Sequence, residues 1–161
     1  MKPRLYIETS IVGYLTSRPS SNIIVAGHQH TTRIWWEKRR NLFDVFVSEL
    51  VVDEAAKGDP QAAKEQLEAI AGISDLEVNE TALYLGSQLV DAGAIPSKVA
   101  NDAVHIAVAS VHNMDFLMTW NCSHMANAEI SSRVQKIVHA HGFVCPIICT
   151  PEELMGDEYV G

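Results

Sequence analysis

The sequence predicts an α/β fold: a three-layer sandwich around a central, mostly parallel sheet with Rossmann-like topology. Three observations predict it. Short β-prone runs alternate with helix-length segments, and strands separated by helices pair in parallel through right-handed crossovers. One helical segment is apolar on every side, which places it inside the molecule. At 161 residues, 47% of them hydrophobic, the chain suits one domain (1–161) with its own core, and no linker, repeat or low-complexity stretch divides it.

The elements follow in order. Arg4-Leu5-Tyr6-Ile7 is a bulky, β-prone run that stops at Glu8-Thr9-Ser10, where Thr9 or Ser10 can cap a turn of helix. Residues 17–21 form a loop. From 22 to about 41 an apolar stripe of Ile23, Ile24, Ala26, Thr31, Ile34 and Trp35 predicts a helix, and 43–47 a second strand. Ser48 caps a helix through Lys57, Gly58-Asp59-Pro60 punctuates it, and another helix runs from 61 to about 71. Leu76-Glu77-Val78 reads as a short strand and 80–91 as a helix ended by Gly93. Pro96-Ser97 opens the uniformly apolar helix, which reaches about His112. Residues 116–119 are a strand, 129–141 a helix and 144–149 a last strand. The acidic, glycine-bearing residues 151–161 are expected to fray.

Composition excludes several classes. A net charge of −8, from 20 acids and 12 bases, leaves no broadly basic face for gripping nucleic acid by charge alone. It fits carboxylates gathered around a divalent cation, and equally an ordinary solvated surface. No apolar run reaches the roughly 18 residues of a membrane span, so no membrane partner is expected. Met1-Lys2-Pro3-Arg4 leads straight into a strand without a signal-peptide layout, and three cysteines do not make a disulfide framework. The expectation is a soluble, cytoplasmic chain. The P-loop, dinucleotide, esterase-elbow and H-E-x-x-H motifs are all missing.

What remains is a set of acids in unusual places. Glu8 stands at the carboxyl end of the first strand, and Asn121 at the carboxyl end of a later one. Ligands of open parallel sheets gather at that edge. Asp102 lies near the start of the buried helix, where a carboxylate must be paired, protonated or bound to metal. Glu54, in the helix begun by Ser48, can turn toward the same edge. Taken singly, each has a plainer explanation as a helix cap or a surface acid; their convergence favours a site. Oxygen ligands without a neighbouring thiolate suit Mg²⁺ or Mn²⁺.

Tyr6-Ile7-Glu8-Thr9-Ser10, Ser48 through Glu54, Asp102-Ala103-Val104-His105-Ile106-Ala107 and Thr119-Trp120-Asn121 together resemble the ordered motifs of a PIN domain, most closely the VapC-type toxins of type II toxin–antitoxin systems. The resemblance implies a metal-dependent ribonuclease acting on RNA phosphodiesters, commonly a homodimer, with a small antitoxin protein as partner. It marks Glu8, Glu54 and Asp102 as the acids that hold the metal, with Asn121 completing the catalytic set. Two positions depart from the pattern: the first acid is usually Asp, and a fourth acid often stands where Asn121 is. The other reading is therefore a catalytically silent PIN-like module that binds RNA or protein. Thr9 and Ser10 are candidates to bond Glu8 or a substrate phosphate, against the plainer role of helix cap.

Other constellations carry less. Arg33, Lys38, Arg39 and Arg40 gather beside Trp35 and Trp36; Arg33, Arg39 and Arg40 are candidate RNA contacts, against a solvated face with one Trp packed inward. His139, His141, Cys145 and Cys149 superficially suggest zinc, but four residues of strand would part the two sulfurs by about 13 Å. His105 reads as a packed core histidine, His28 and His30 as surface residues, and Trp120 as core or groove wall.

Overall fold

The computed structural model describes residues 1–159. Its elements are β1 (Arg4–Ile7), α1 (Thr9–Thr16), α2 (Ile23–Lys38), β2 (Asp44–Ser48), α3 (Glu49–Ala55), α4 (Pro60–Ile70), β3 (Ser74–Leu76), α5 (Glu80–Asp91), α6 (Ala100–Val111), β4 (Phe116–Met118), α7 (Ala128–Ala140) and β5 (Ile147–Cys149). Single 3-10 turns precede β2 and α6, and two follow β5. The five strands form one parallel sheet in the order β3-β2-β1-β4-β5. The sheet is wholly parallel, as the alternation of strands and helices requires.

The strand order dictates the layers. The chain first steps outward from β1 through β2 to β3, then crosses back to β4 and steps the other way to β5. With right-handed crossovers that reversal puts the two sets of helices on opposite faces. Accordingly α1 packs on α2, α3 and α4, while α5 packs on α6 and α7. β1 lies at the centre, and Leu5, Tyr6 and Ile7 are fully buried. The reversal falls between β1 and β4, so a crevice opens beyond the carboxyl ends of those two strands.

Several ends differ from the sequence expectation. The cap of α1 is Glu8, whose carboxylate accepts from the Ser10 N–H, rather than Thr9 or Ser10. β3 lies two residues earlier than expected, because its register with β2 pairs Phe46 with Ser74 and Ser48 with Leu76. Val78 leaves the sheet and donates its N–H to Glu49. β5 keeps only the last three residues of the expected strand. The segment expected to fray is folded through its described part: Pro151 and Met155 are buried, Thr150 and Glu153 form a capping box, and Arg39 Nε donates to the Leu154 carbonyl at 3.2 Å. Apolar anchors spaced among the acids outweigh the composition.

The α5–α6 contact depends on Gly86. A Cβ there would stand 3.4 Å from Val104 Cγ2, at the limit of ordinary packing. Gly86→Ala is expected to be close to neutral, its better helix propensity offset by the tight contact. Gly86→Val should destabilise the fold by about 1–3 kcal/mol through overpacking, read as a lower denaturant midpoint at unchanged slope.

Candidate metal centre

Each acid reaches the carboxyl edge by its own route. Glu8 is the residue after β1, and its N–H donates to the Met118 carbonyl at 3.1 Å, which ties it to the end of β4. Glu54 is carried by α3, which starts where β2 ends and is capped by Ser48. Asp102 occupies the first turn of α6, which runs toward the amino end of β4 and so begins at the opposite, carboxyl edge. The sheet thus collects three acids from distant parts of the chain around its reversal point.

The Glu8 and Glu54 carboxylates and the His105 imidazole offer ligand atoms that all lie within 4.8 Å of one another. Asp102 stands outside that triple. Burial raises its pKa, and behind the opposing Asn121 bond the charge of Glu8 raises it further, so the carboxyl lies above the ordinary Asp value. Glu54 shifts the other way: burial pushes it up, but the hydrogen bond from His105, then those from Thr9 and the Asn101 amide, outweigh burial and hold it below the usual carboxylate range.

The direct hydrogen bonds follow one pattern. Glu8 Oε1 accepts from the Ser10 N–H at 3.1 Å, from the Ser10 hydroxyl, and from Thr119 Oγ1 at 2.6 Å. Glu54 Oε1 accepts from Thr9 Oγ1 at 2.7 Å and from His105 Nε2 at 2.6 Å. Asp102 Oδ2 accepts from Asn121 Nδ2 at 3.0 Å, with His124 Nδ1 at 3.5 Å. In all three carboxylates the bonds just given fall on one oxygen. Among the described residues, no lysine or arginine pairs with any of them. Three carboxylates without a fixed cation fit a hard, oxygen-preferring divalent ion such as Mg²⁺ or Mn²⁺.

The remaining sequence candidates fall into two groups. Thr9 and Ser10 belong to the site as donors to Glu54 and Glu8. Asn121 also belongs, in a different capacity from that expected: its amide nitrogen serves Asp102, and its oxygen accepts the His124 N–H at 3.0 Å. It supports an acid and does not replace one. The arginines do not converge on the acids. Arg33 donates to the Ser17 carbonyl at 3.1 Å, which helps Gln29 fasten the loop after α1. Arg39 is engaged by the C-terminal turn, and Arg40 lies over the Trp36 ring at 4.4 Å. Both lead into Asp44, the amino end of β2, away from Glu8.

Sequence reasoning missed four participants. His105 was read as a core residue; it is buried, yet both nitrogens are bonded, one to Glu54 and one to Tyr6. The available signal was its isolation: a histidine inside an all-apolar helix must find partners for both nitrogens. Thr119 lies in the Thr119-Trp120-Asn121 motif without having been singled out as a donor, and His124 follows from the loop geometry and has no pattern in the sequence. His28, expected at the surface, lies flat on Trp120 with ring centroids 3.9 Å apart and Tyr14 edge-on to both. Trp120 Nε1 donates to Thr32, so this aromatic stack closes one side of the crevice against α2. Among the described residues the C-terminal cysteines form no metal cluster; burial pushes Cys145 up to about 11 and, helped by Glu153, Cys149 up to about 12.

No protein-family model matches the chain, and no curated protein matches it. Solved structures do. One is a chain from the crystal structure of VapBC2 from Rickettsia felis bound to a DNA fragment from their promoter, which covers 91% of this chain and 97% of that one at a TM-score of 0.54 and 13% identity. The likeness is one of fold: this chain has the PIN-like α/β sandwich.

Proposed function

We propose that the protein is a metal-dependent endoribonuclease, the toxin member of a toxin–antitoxin pair. The observation that carries this reading is the clustering of Glu8 and Glu54 at the sheet reversal with Asp102 near enough to feel the Glu8 charge, the hydrogen bonds described above falling on one oxygen of each and none of the three paired, among the described residues, with a lysine or arginine. Glu8, Glu54 and Asp102 would hold Mg²⁺ or Mn²⁺. When bound, such an ion supplies Lewis acidity toward a phosphodiester and makes a nearby water more acidic.

The chain's own residues do the rest. Thr9, Ser10 and Thr119 hold two of the acids in fixed orientations, and Asn121 holds the third. An ionised carboxylate of the set takes the proton of the attacking water. The Trp120 stack walls off the crevice on the α2 side. The antitoxin partner, the homodimer and the cytoplasmic setting belong to the same proposal. The similar structure is itself a VapBC2 complex with promoter DNA, and among the described residues no helix is long and apolar enough to cross a membrane.

Incubating the purified protein with a panel of structured RNAs should give cleavage with Mg²⁺ or Mn²⁺ and none with chelator. Intact RNA under every metal condition would favour the silent binding module, for which Asn121 in place of an acid is the motive.

Metal affinity should depend on pH in a stated direction. Asp102 is held above its ordinary value, so without metal its contribution favours the fold at low pH and is lost as pH rises through its pKa. Binding needs the ionised form, so Mn²⁺ affinity should rise with pH over the range, above the ordinary Asp value, in which Asp102 ionises, and release protons there. Glu54, held below its ordinary value, is already ionised over that range. Calorimetry in two buffers of different ionisation enthalpy measures the released protons. A flat affinity with no proton release would remove Asp102 from the set.

A further inference from the structure

We infer that His105 is the positioning residue for Glu54, acting through the Nε2–H tautomer, and that the buried Tyr6 hydroxyl anchors the ring at Nδ1. The inference rests on the reading of Glu54 as part of a cation site.

Four hydrogen bonds link five groups into a continuous chain that is buried up to its Glu54 end. The Val51 N–H donates to Ser48 Oγ at 3.3 Å, Ser48 Oγ lies 2.8 Å from the Tyr6 hydroxyl, that hydroxyl lies 2.6 Å from His105 Nδ1, and His105 Nε2 lies 2.6 Å from Glu54 Oε1. Tyr6 and Ser48 are fully buried, and His105 nearly so.

The protons can be assigned from the acceptor end. An ionised carboxylate only accepts, so Nε2 must carry a proton toward Glu54. A bare Nε2 would set its lone pair against the carboxylate oxygen at 2.6 Å. A neutral ring with Nε2–H leaves Nδ1 as an acceptor, and the Tyr6 O–H fills it. A phenol keeps its O–H at neutral pH. The Tyr6 oxygen then accepts from the Ser48 hydroxyl, whose own oxygen takes the Val51 N–H. Every donor and acceptor in the chain is satisfied, and all the donors point toward Glu54.

Two consequences follow. His105 is withheld from the metal although its nitrogen lies within the 4.8 Å cluster, because its Nε2 lone pair is occupied by a proton. With Thr9, it also fixes Oε1 of Glu54, leaving the other oxygen to face a cation. A ligand role would need the opposite tautomer, so the two roles can be told apart by one observable.

The test is the ¹⁵N–¹H spectrum of the His105 ring in the metal-free, full-length protein near neutral pH. The expected result is a neutral ring protonated at Nε2 and bare at Nδ1. Tyr6→Phe, checked for folding by circular dichroism, leaves Nδ1 without its donor while Nε2–H still faces Glu54, and should bind Mn²⁺ about tenfold more weakly, the usual loss when a group orienting a metal ligand is removed. An Nδ1–H ring or an imidazolium in the wild type overturns the assignment, as does a folded Tyr6→Phe with unchanged Mn²⁺ affinity. If the wild type binds no Mn²⁺ at all, the cation-site reading fails while the spectrum still decides the tautomer.

Discussion

Glu8→Gln should lower metal-dependent RNA cleavage by about three orders of magnitude and leave the fold intact. The glutamine oxygen can accept the same bonds from Ser10 and Thr119, so the cap of α1 survives. What is lost is one negative charge from a 7% exposed side chain beside Glu54 and Asp102. Lewis-acid catalysis contributes several kcal/mol to the transition state, and each 1.36 kcal/mol is tenfold in rate. Losing about 4 kcal/mol of it therefore costs about a thousandfold. Without metal, the variant should melt no lower than the wild type, because a buried charge without a cation has been replaced by a neutral amide. Cleavage at saturating Mg²⁺ and thermal unfolding in chelator check the two halves. Near wild-type cleavage by a folded Glu8→Gln protein would defeat the metal-nuclease reading.

The second large effect is expected at Asn121. From sequence alone, an acid there promises tighter metal binding. The structure makes the outcome conditional, because the Asn121 amide is the donor to Asp102 at 3.0 Å. Asn121→Asp exchanges that donor for a second carboxylate. Two like charges about 4 Å apart repel by about 4 kcal/mol at an effective dielectric of 20, and partial solvent access at Asp102 reduces this to about 1–2 kcal/mol. Above the carboxylate pKa range, in chelator, the variant should melt roughly 2–8 °C lower. As pH falls and the pair takes up a shared proton, the deficit should disappear. Saturating Mn²⁺ should raise the variant's midpoint more than the wild type's, since the ion relieves the repulsion. A midpoint equal to wild type at neutral pH in chelator would mean that the bond to Asp102 is not formed in solution.

The legibility of the fold differs from element to element for physical reasons. α5 matches its sequence reading end to end, because Asn79 caps it and Gly93, at φ 78°, stops it. These are local signals. The register of β3 is not local: Leu76-Glu77-Val78 alternates like a strand, but where pairing ends is decided by β2. The C-terminal turns were hidden by composition, since two buried residues anchor a segment that is otherwise acidic. In the site, the acids were conspicuous because a charge beside an apolar run is costly. Their orienting partners were not, because Tyr6 and His105, 99 residues apart, look like ordinary core positions until the strand and helix are laid side by side.

The placement of β1 at the centre of the sheet has a consequence for biosynthesis. One of its two neighbours, β4, is synthesised long after it, and Glu8 waits for Thr119 across 111 residues. At roughly 5–20 residues per second that wait is about 6–20 s. Until it ends, Glu8 lacks one of its donors and α6 has no strand to pack beside. The three carboxylates therefore cannot be held in their final arrangement until the residues of β4 have been made and have paired with β1.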